Sequence, residues 1–86
     1  MNNLYQRYCA LVAEMLQEKL GRPLSAEEQQ SLWDVQSMMF LEAWERGVLA
    51  AQTREAVEAE MVSLGAIARQ RKEWRAKRAE RQNPDV

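Results

Sequence analysis

Apolar residues recur every three or four positions over the first twenty residues of the chain. They form one wide stripe when successive residues are placed about 100° apart around a helix, while Glu14, Gln17 and Glu18 are expected on other faces. The stripe comprises Leu4, Tyr5, Tyr8, Leu11, Val12, Met15, Leu16 and Leu20. Gly21 favours a left-handed cap and Pro23 cannot continue a helix. The pattern therefore predicts a first helix over residues 3–20.

A second helix is predicted over residues 26–46. Ser25 and Glu28 have the spacing of a capping box, which marks a helix start, and Gly47 is a candidate C-cap. Its apolar residues form two stripes: Leu32, Val35, Met39 and Ala43 on one side, and Trp33, Phe40 and Trp44 on the other. Met38 and Leu41 lie outside both stripes. A helix this apolar around its circumference is expected to be surrounded by other helices.

A third, longer helix is predicted over residues 53–81. Its apolar face consists of Ala56, Val57, Met61, Leu64, Ile67 and Ala68, and the same face continues as Arg71, Trp74, Arg75, Arg78 and Arg81. Arg69 with Glu73, and Glu73 with Lys77, have the spacing of helical ion pairs and could support the last turns. Asn83 and Pro84 are expected to end the helix. The C-terminal third should then project from the body or be covered by a second chain.

Composition supports an all-α fold. The chain has six Val, one Ile and one Thr, against twelve Ala and eleven Glu, which favours helices over strands. We expect one domain over residues 1–86, built as a three-helix antiparallel bundle or a helical-hairpin assembly with a projecting basic C-terminal helix. A chain of 86 residues buries a thin core, so a dimer is predicted.

Charge is divided unevenly along the chain. Residues 1–68 contain five Lys or Arg and ten Asp or Glu, for a net charge of −5. Residues 69–86 contain seven and three, for a net charge of +4. An acidic helical body therefore carries a basic helical tail, although the formal net charge is only −1.

Few residues in the chain could support catalysis. There is no His, and Cys9 is the only cysteine, which excludes His-containing triads, CxxC pairs and zinc sites built on His. Cys9 is interpreted as a small, buried or half-buried hydrophobic residue rather than a reactive thiol. Glu14 with Glu18, and Glu55 with Glu58, have helical spacing but are interpreted as surface charge. The sequence predicts no enzyme activity, no cofactor and no metal.

The apolar residues of the second predicted helix have two interpretations. Trp33, Phe40 and Trp44 form a ridge that could fill a core or form an interface. Met38 and Leu41 add apolar area outside both stripes, and surplus apolar surface on a small chain is typical of a protein interface. These five residues are therefore candidates for self-association into a homo-oligomer.

The segment 69–78 is the most distinctive stretch of the sequence. Trp and Arg often dominate interface energies, and here one Trp lies among several Arg on a single helical face. Arg71, Trp74, Arg75, Arg78 and Arg81 are therefore candidate partner-binding residues. The partner could be an acidic protein surface or a nucleic acid, or the segment could be only a solvated helix. The acidic body and the lack of a recognisable DNA-binding motif favour protein.

The resulting functional prediction is a small non-catalytic adaptor, inhibitor or regulator that binds a protein. The size would suit an inhibitor encoded by a phage or a plasmid. A nucleic-acid-binding accessory protein is the alternative. No apolar run has the roughly 18 residues of a membrane span, and the first residues lack the layout of a signal peptide. We therefore expect a cytoplasmic protein with no membrane partner.

Overall fold

The computed structural model describes residues 3–81, and four helices account for most of them. They are α1 (Asn3–Leu20), α2 (Ala26–Val35), α3 (Met38–Ala50) and α4 (Arg54–Arg81). No strand occurs within residues 3–81. The predicted all-α class is confirmed, as are the first and third predicted helices. The predicted stop at Asn83 and Pro84 lies outside the described residues.

The connection between α1 and α2 has the predicted local chemistry. Gly21 has a φ of 70° and donates its N–H to Gln17 O at 2.9 Å, which closes α1. The capping box is present: Glu28 N donates to Ser25 Oγ at 3.1 Å, and Ser25 N donates to Glu28 Oε1 at 2.8 Å. Both boundaries follow from residues close in sequence, which is why the pattern located them.

The prediction of one helix over 26–46 is wrong. The chain leaves the helical conformation at Gln36, which has a φ of 52°, and Ser37 then caps α3 by accepting Phe40 N at 3.4 Å. Gly47 is not a C-cap but an interior residue of α3, which ends at Ala50. A Cβ at Gly47 would lie 3.1 Å from Glu60 Oε2. Gly47 therefore leaves space for the Glu60 carboxylate of α4 against α3.

Side chains from distant helices stabilise this break. Tyr5 Oη in α1 donates to Leu32 O at 2.6 Å and accepts Gln36 N at 2.9 Å. Arg71 Nε in α4 donates to Val35 O at 3.2 Å. These bonds pair backbone groups that the end of α2 would otherwise leave without partners. No Gly or Pro marks the end of α2, and Ser37, a residue type that favours helix N-caps, is the local signal that the pattern of apolar residues overlooked.

The break also changes which side chains are buried. Leu41, Trp44 and Val48 are the buried residues of α3, whereas Met39 is 74% exposed and Ala43 is also exposed. The predicted stripe of Leu32, Val35, Met39 and Ala43 therefore holds only for its first two members. In α1, Leu4 and Leu11 are 66% and 64% exposed. Their assignment to the same stripe as the core residues is also wrong.

One hydrophobic core is shared by all four helices and the connection between α1 and α2. Trp44 also donates its indole N–H to Glu60 O at 2.7 Å, which ties α3 to α4. The predicted apolar face of α4 is confirmed, with Ala56 and Ile67 half-buried at its edges. The buried core residues are Tyr5, Val12, Leu16, Leu20, Leu24, Leu32, Val35, Leu41, Trp44, Val48, Val57, Met61, Leu64 and Ala68.

Contacts at the two ends of the helical body show the relative directions of α1 and α4. The chain just after α1 lies beside the start of α4, where Arg22 Nη2 pairs with Glu58 Oε1 at 2.8 Å. The start of α1 lies at the α2–α3 break, which Arg71 of α4 also contacts. Therefore α1 and α4 run in opposite directions, and α4 continues beyond the end of the body where α1 begins.

This extension makes the molecule elongated. The principal extents are 51 × 25 × 22 Å and the radius of gyration is 14.4 Å, against about 12 Å for an average compact domain of this length. Within residues 69–81 only Arg71 and Arg75 are half-buried, and the others are exposed. The predicted projection of the basic segment is seen in this chain. In the described part of the chain, no helix combines the length and apolarity needed to cross a membrane.

Candidate protein-binding surface

The structure divides the five predicted partner-binding residues into two groups. Arg71 and Arg75 follow the buried Leu64 and Ala68 by seven positions, so they continue the core-facing side of α4 and are half-buried. Trp74, Arg78 and Arg81 are exposed on the neighbouring flank. The sequence placed all five on one face because the helical stripe that it predicted was wide enough to include both sides.

Arg71 lies at the base of the projecting segment and has contacts within the chain. Besides its hydrogen bond to Val35 O, its guanidinium carbon lies 4.7 Å from the centroid of the Phe40 ring. A cation at the C-terminal end of α2 is favoured by the helix dipole. These contacts tie α4 to the α2–α3 break. They identify Arg71 as a residue that positions the tail.

Trp74 is the most prominent exposed aromatic residue of the tail. Its ring is 48% exposed, and the guanidinium carbons of Arg71 and Arg78 lie 5.3 and 5.2 Å from its centroid. Cation–π contacts of this kind restrain both partners. The indole is therefore held in place although much of its surface is open to solvent.

Two open pockets meet at Trp74. The first is mainly apolar and is lined by Phe40, Ile67, Gln70, Arg71 and Trp74. The second is cationic and is lined by Trp74, Lys77, Arg78 and Arg81. We call these residues, excluding the inward Arg71, the Trp74 surface. It places an apolar recess directly beside three cationic side chains. Four of its members, Phe40, Ile67, Gln70 and Lys77, are not among the predicted partner-binding residues.

Arg75 adds an unsatisfied donor on the inner side of the tail. Its Nη1 atom is buried and has no hydrogen-bond partner among the described residues. A buried guanidinium nitrogen without an acceptor is unfavourable.

Cation–π contacts, rather than the predicted ion pairs, link side chains along the tail. Neither Arg69 with Glu73 nor Glu73 with Lys77 forms an ion pair in residues 3–81. Trp74 instead contacts residues three positions before it and four positions after it, spacings at which helical side chains meet. The aromatic residue thus supports the helix that presents it.

The five predicted self-association residues lie in different environments. Leu41 and Trp44 are buried in the core, so the expectation that Leu41 adds exposed apolar area is wrong. Met38 is partly buried against the same core. Trp33 and Phe40 are 40% and 44% exposed, and Trp33 packs on the Tyr5 ring with 5.8 Å between centroids. Self-association itself stays a prediction.

Three buried or half-buried titratable groups near the α1–α2 and α1–α3 contacts are held in their neutral forms. Burial raises the pKa of the Cys9 thiol, which points to Leu32 O at 3.6 Å. Burial also raises the pKa of Tyr5, and burial together with the hydrogen bond to Glu45 raises the pKa of Tyr8. A protonated thiol is a poor nucleophile, in keeping with the interpretation of Cys9 as a packing residue.

No group of three or more potential metal-ligating side chains was found among the described residues. A scan against models of known protein families, a search of curated proteins and a search of solved structures each found no match to this chain. The geometry of the Trp74 surface and the distribution of charge are therefore the features of this chain that bear on its function.

Proposed function

We propose that this protein acts without catalysis, by binding another protein through the Trp74 surface. The observation that carries the proposal is the position of Trp74: a restrained, 48% exposed indole between an apolar pocket and a cationic pocket. Trp and Arg are the residue types that most often dominate binding energies. A side chain already restrained before binding loses less conformational entropy when a partner arrives.

The chemistry of the two pockets describes the partner. The recess beside Phe40 and Ile67 fits an apolar side chain, and Lys77, Arg78 and Arg81 fit carboxylates next to it. An acidic segment with apolar anchors at helical spacing would supply both. A small protein that presents such a surface from a projecting helix could serve as an adaptor, inhibitor or regulator.

The proposal can be tested with a labelled acidic peptide that carries Leu and Glu on one helical face. Binding is measured by fluorescence anisotropy at low protein concentration. We expect Trp74→Ala to weaken binding about 30-fold, which corresponds to about 2 kcal/mol. Trp33→Ala is the matched control, because Trp33 is also an exposed indole but lines neither pocket. Equal affinity for wild type and Trp74→Ala would overturn the proposal.

The cationic residues should act mainly on the rate of association. Arg78→Glu is expected to slow peptide association, most strongly at low salt, because oppositely charged surfaces attract each other before contact. Stopped-flow measurement at several salt concentrations checks this. An unchanged association rate would mean that the cationic pocket does not face the peptide.

Nucleic acid is the alternative partner, because the same cations could contact phosphates. A short mixed-sequence DNA duplex and a matching RNA are therefore tested in parallel. The alternative would be favoured if the protein bound either nucleic acid more tightly than the peptide. In that case Arg78→Ala should weaken binding whatever the base sequence, and its salt slope should be smaller than that of wild type by about 1. The net charge of −5 on residues 1–68 opposes the approach of a polyanion and supports the protein proposal.

A further inference from the structure

The outer face of α1 has the properties that the Trp74 surface is expected to recognise. Leu4 and Leu11 are largely exposed, and the exposed Glu14 and Glu18 follow them on the same face of the helix. Neither carboxylate forms an ion pair or a hydrogen bond within residues 3–81. The chain thus carries both an apolar, acidic stripe and an apolar, cationic surface.

We infer that a second copy of this chain docks here, with the basic tail of each protomer on the outer face of α1 of the other. This inference rests on the proposed function, because it takes the Trp74 surface as a protein-binding surface and names one partner for it. Charge favours a second copy as the partner, because the tail of one protomer has a net charge of +4 and the body of the other has a net charge of −5.

The spacing of the two helices fits this pairing. Leu4, Leu11 and Glu18 are seven residues apart, as are Ile67, Trp74 and Arg81. Seven-residue repeats lie along one side of a helix and allow two helices to pack lengthwise. If the helices run parallel with Leu11 beside Trp74, Glu18 meets Arg81 and Glu14 meets Lys77. The reverse direction would place Glu18 beside Ile67 instead.

The parallel direction is also the one that a closed dimer provides. Within one protomer α1 and α4 run in opposite directions. A two-fold axis perpendicular to α4 reverses the second copy, so its α1 runs parallel to the tail of the first. Both tails can then dock at once, which closes the assembly as a dimer.

The chain exposes more surface than an average monomer of its size. It exposes 6350 Å², whereas an average monomer of 10.0 kDa exposes about 5,200 Å². This excess of about 1,100 Å² is of the same order as the about 800 Å² that each partner buries in a standard interface.

A charge-exchange experiment tests the inference. One variant carries Glu14→Arg and Glu18→Arg, and a second carries Lys77→Glu and Arg81→Glu. In sedimentation equilibrium we expect wild type to dimerise in the micromolar range and each variant alone to self-associate at least about tenfold more weakly, because like charges then meet in both contacts. When the two variants are mixed, both contacts regain opposite charges, so a heterodimer should form with close to wild-type affinity.

Two controls complete the experiment. Circular dichroism checks that both variants are folded, and Glu42→Arg with Glu55→Arg makes the same change in net charge as the Glu14→Arg, Glu18→Arg variant, at exposed positions outside the two surfaces. This control pair should dimerise like wild type. A monomeric wild type at tens of micromolar, or two variants that remain monomeric when mixed, would overturn the inference.

The peptide assay separates failure of this inference from failure of the proposed function. At low protein concentration the α1 variant should bind the acidic peptide as wild type does, whereas the tail variant should not. If peptide binding depends on Trp74 but the protein does not self-associate, only the inference that a second copy is the partner would be overturned. Peptide binding that is indifferent to Trp74 would overturn the proposed function as well.

Discussion

At the scale of single residues, Arg71 and Arg78 of α4 have different roles although both lie in the same basic segment. Arg71 donates to Val35 O and lies over the Phe40 ring, so its contacts are within the chain. Arg78 is exposed, and its guanidinium carbon lies 5.2 Å from the centroid of the exposed Trp74 ring. We therefore expect Arg71 to contribute to the stability of the fold and Arg78 to contribute to binding.

Arg71→Ala should destabilise the fold, and Arg78→Ala should not. Loss of a hydrogen bond from a charged group and of a cation–π contact is expected to lower the free energy of unfolding by about 1–2 kcal/mol. Removal of an exposed charge is expected to change it by less than about 0.5 kcal/mol. Urea unfolding followed by circular dichroism measures both. Similar stability of the two variants would contradict the structural role of Arg71.

Acid should weaken the ion pairs of Arg22. The hydrogen bonds from Arg22 lower the pKa of Glu28 to about 2, below the value of about 4.3 expected in an unfolded chain. A carboxylate whose pKa is lowered in the folded state stabilises the fold above the unfolded value. This contribution is lost as the pH falls from about 4.3 towards about 2.

Glu28→Gln isolates this effect, because Gln can also complete a capping box. Between about pH 6 and about pH 3, the urea midpoint of wild type should fall further than that of Glu28→Gln, since only wild type loses this ion pair. Equal falls in the two proteins would show that the Arg22–Glu28 pair does not contribute to stability.

At the scale of elements, the break between α2 and α3 determines which apolar residues reach the core. Gln36 adopts the left-handed conformation without being a glycine, and its neighbours are bonded by Tyr5 and Arg71 from other helices. Two residues outside the helical conformation, Gln36 and Ser37, change the helical phase of α3 relative to α2. Leu41 and Trp44 thereby become core residues, and Met39 becomes a surface residue.

A pair of substitutions at Gln36 tests the break. Inside a continuous helix, Ala is more favourable than Gly by about 1 kcal/mol. In the left-handed conformation the order reverses, because a Cβ costs about 1–2 kcal/mol there. We therefore expect Gln36→Gly to be more stable than Gln36→Ala in thermal unfolding. The opposite order would indicate one helix through residues 26–46.

At the scale of the whole molecule, the four helices depend on one another. Each pair of helices is in contact, and a single cluster of buried residues connects them. The body should therefore unfold as one cooperative unit, as small domains usually do. The projecting part of α4 contributes little to that core.

Leu16→Ala tests this dependence. Leu16 in α1 is fully buried, and truncation of such a residue typically lowers the free energy of unfolding by about 2–5 kcal/mol. The loss should appear equally in helix content and in the fluorescence of the buried Trp44, measured in a variant that retains only this Trp. Two separate transitions would mean that α1 and α3 do not share a cooperative core.

The sequence alone determined the helical class, the C-terminal end of α1, the start of α2 and the course of α4 through the described residues. Those features depend on residues within one or two turns of each other: Gly21 at a left-handed position, the capping box of Ser25 and Glu28, and a long run at helical spacing. The basic segment around Trp74 is also recognisable from residues close together in the sequence.

Only the tertiary structure decided where the middle of the chain breaks and which side each apolar residue faces. Gln36 leaves the helix without a Gly or Pro stop signal, because Tyr5 and Arg71, distant in sequence, bond the backbone there. The packing of α4 against the α2–α3 break likewise decides that Arg71 lies inward, whereas Trp74 lies outward. Composition and spacing show which residues share a helix, but burial depends on how the helices pack against one another.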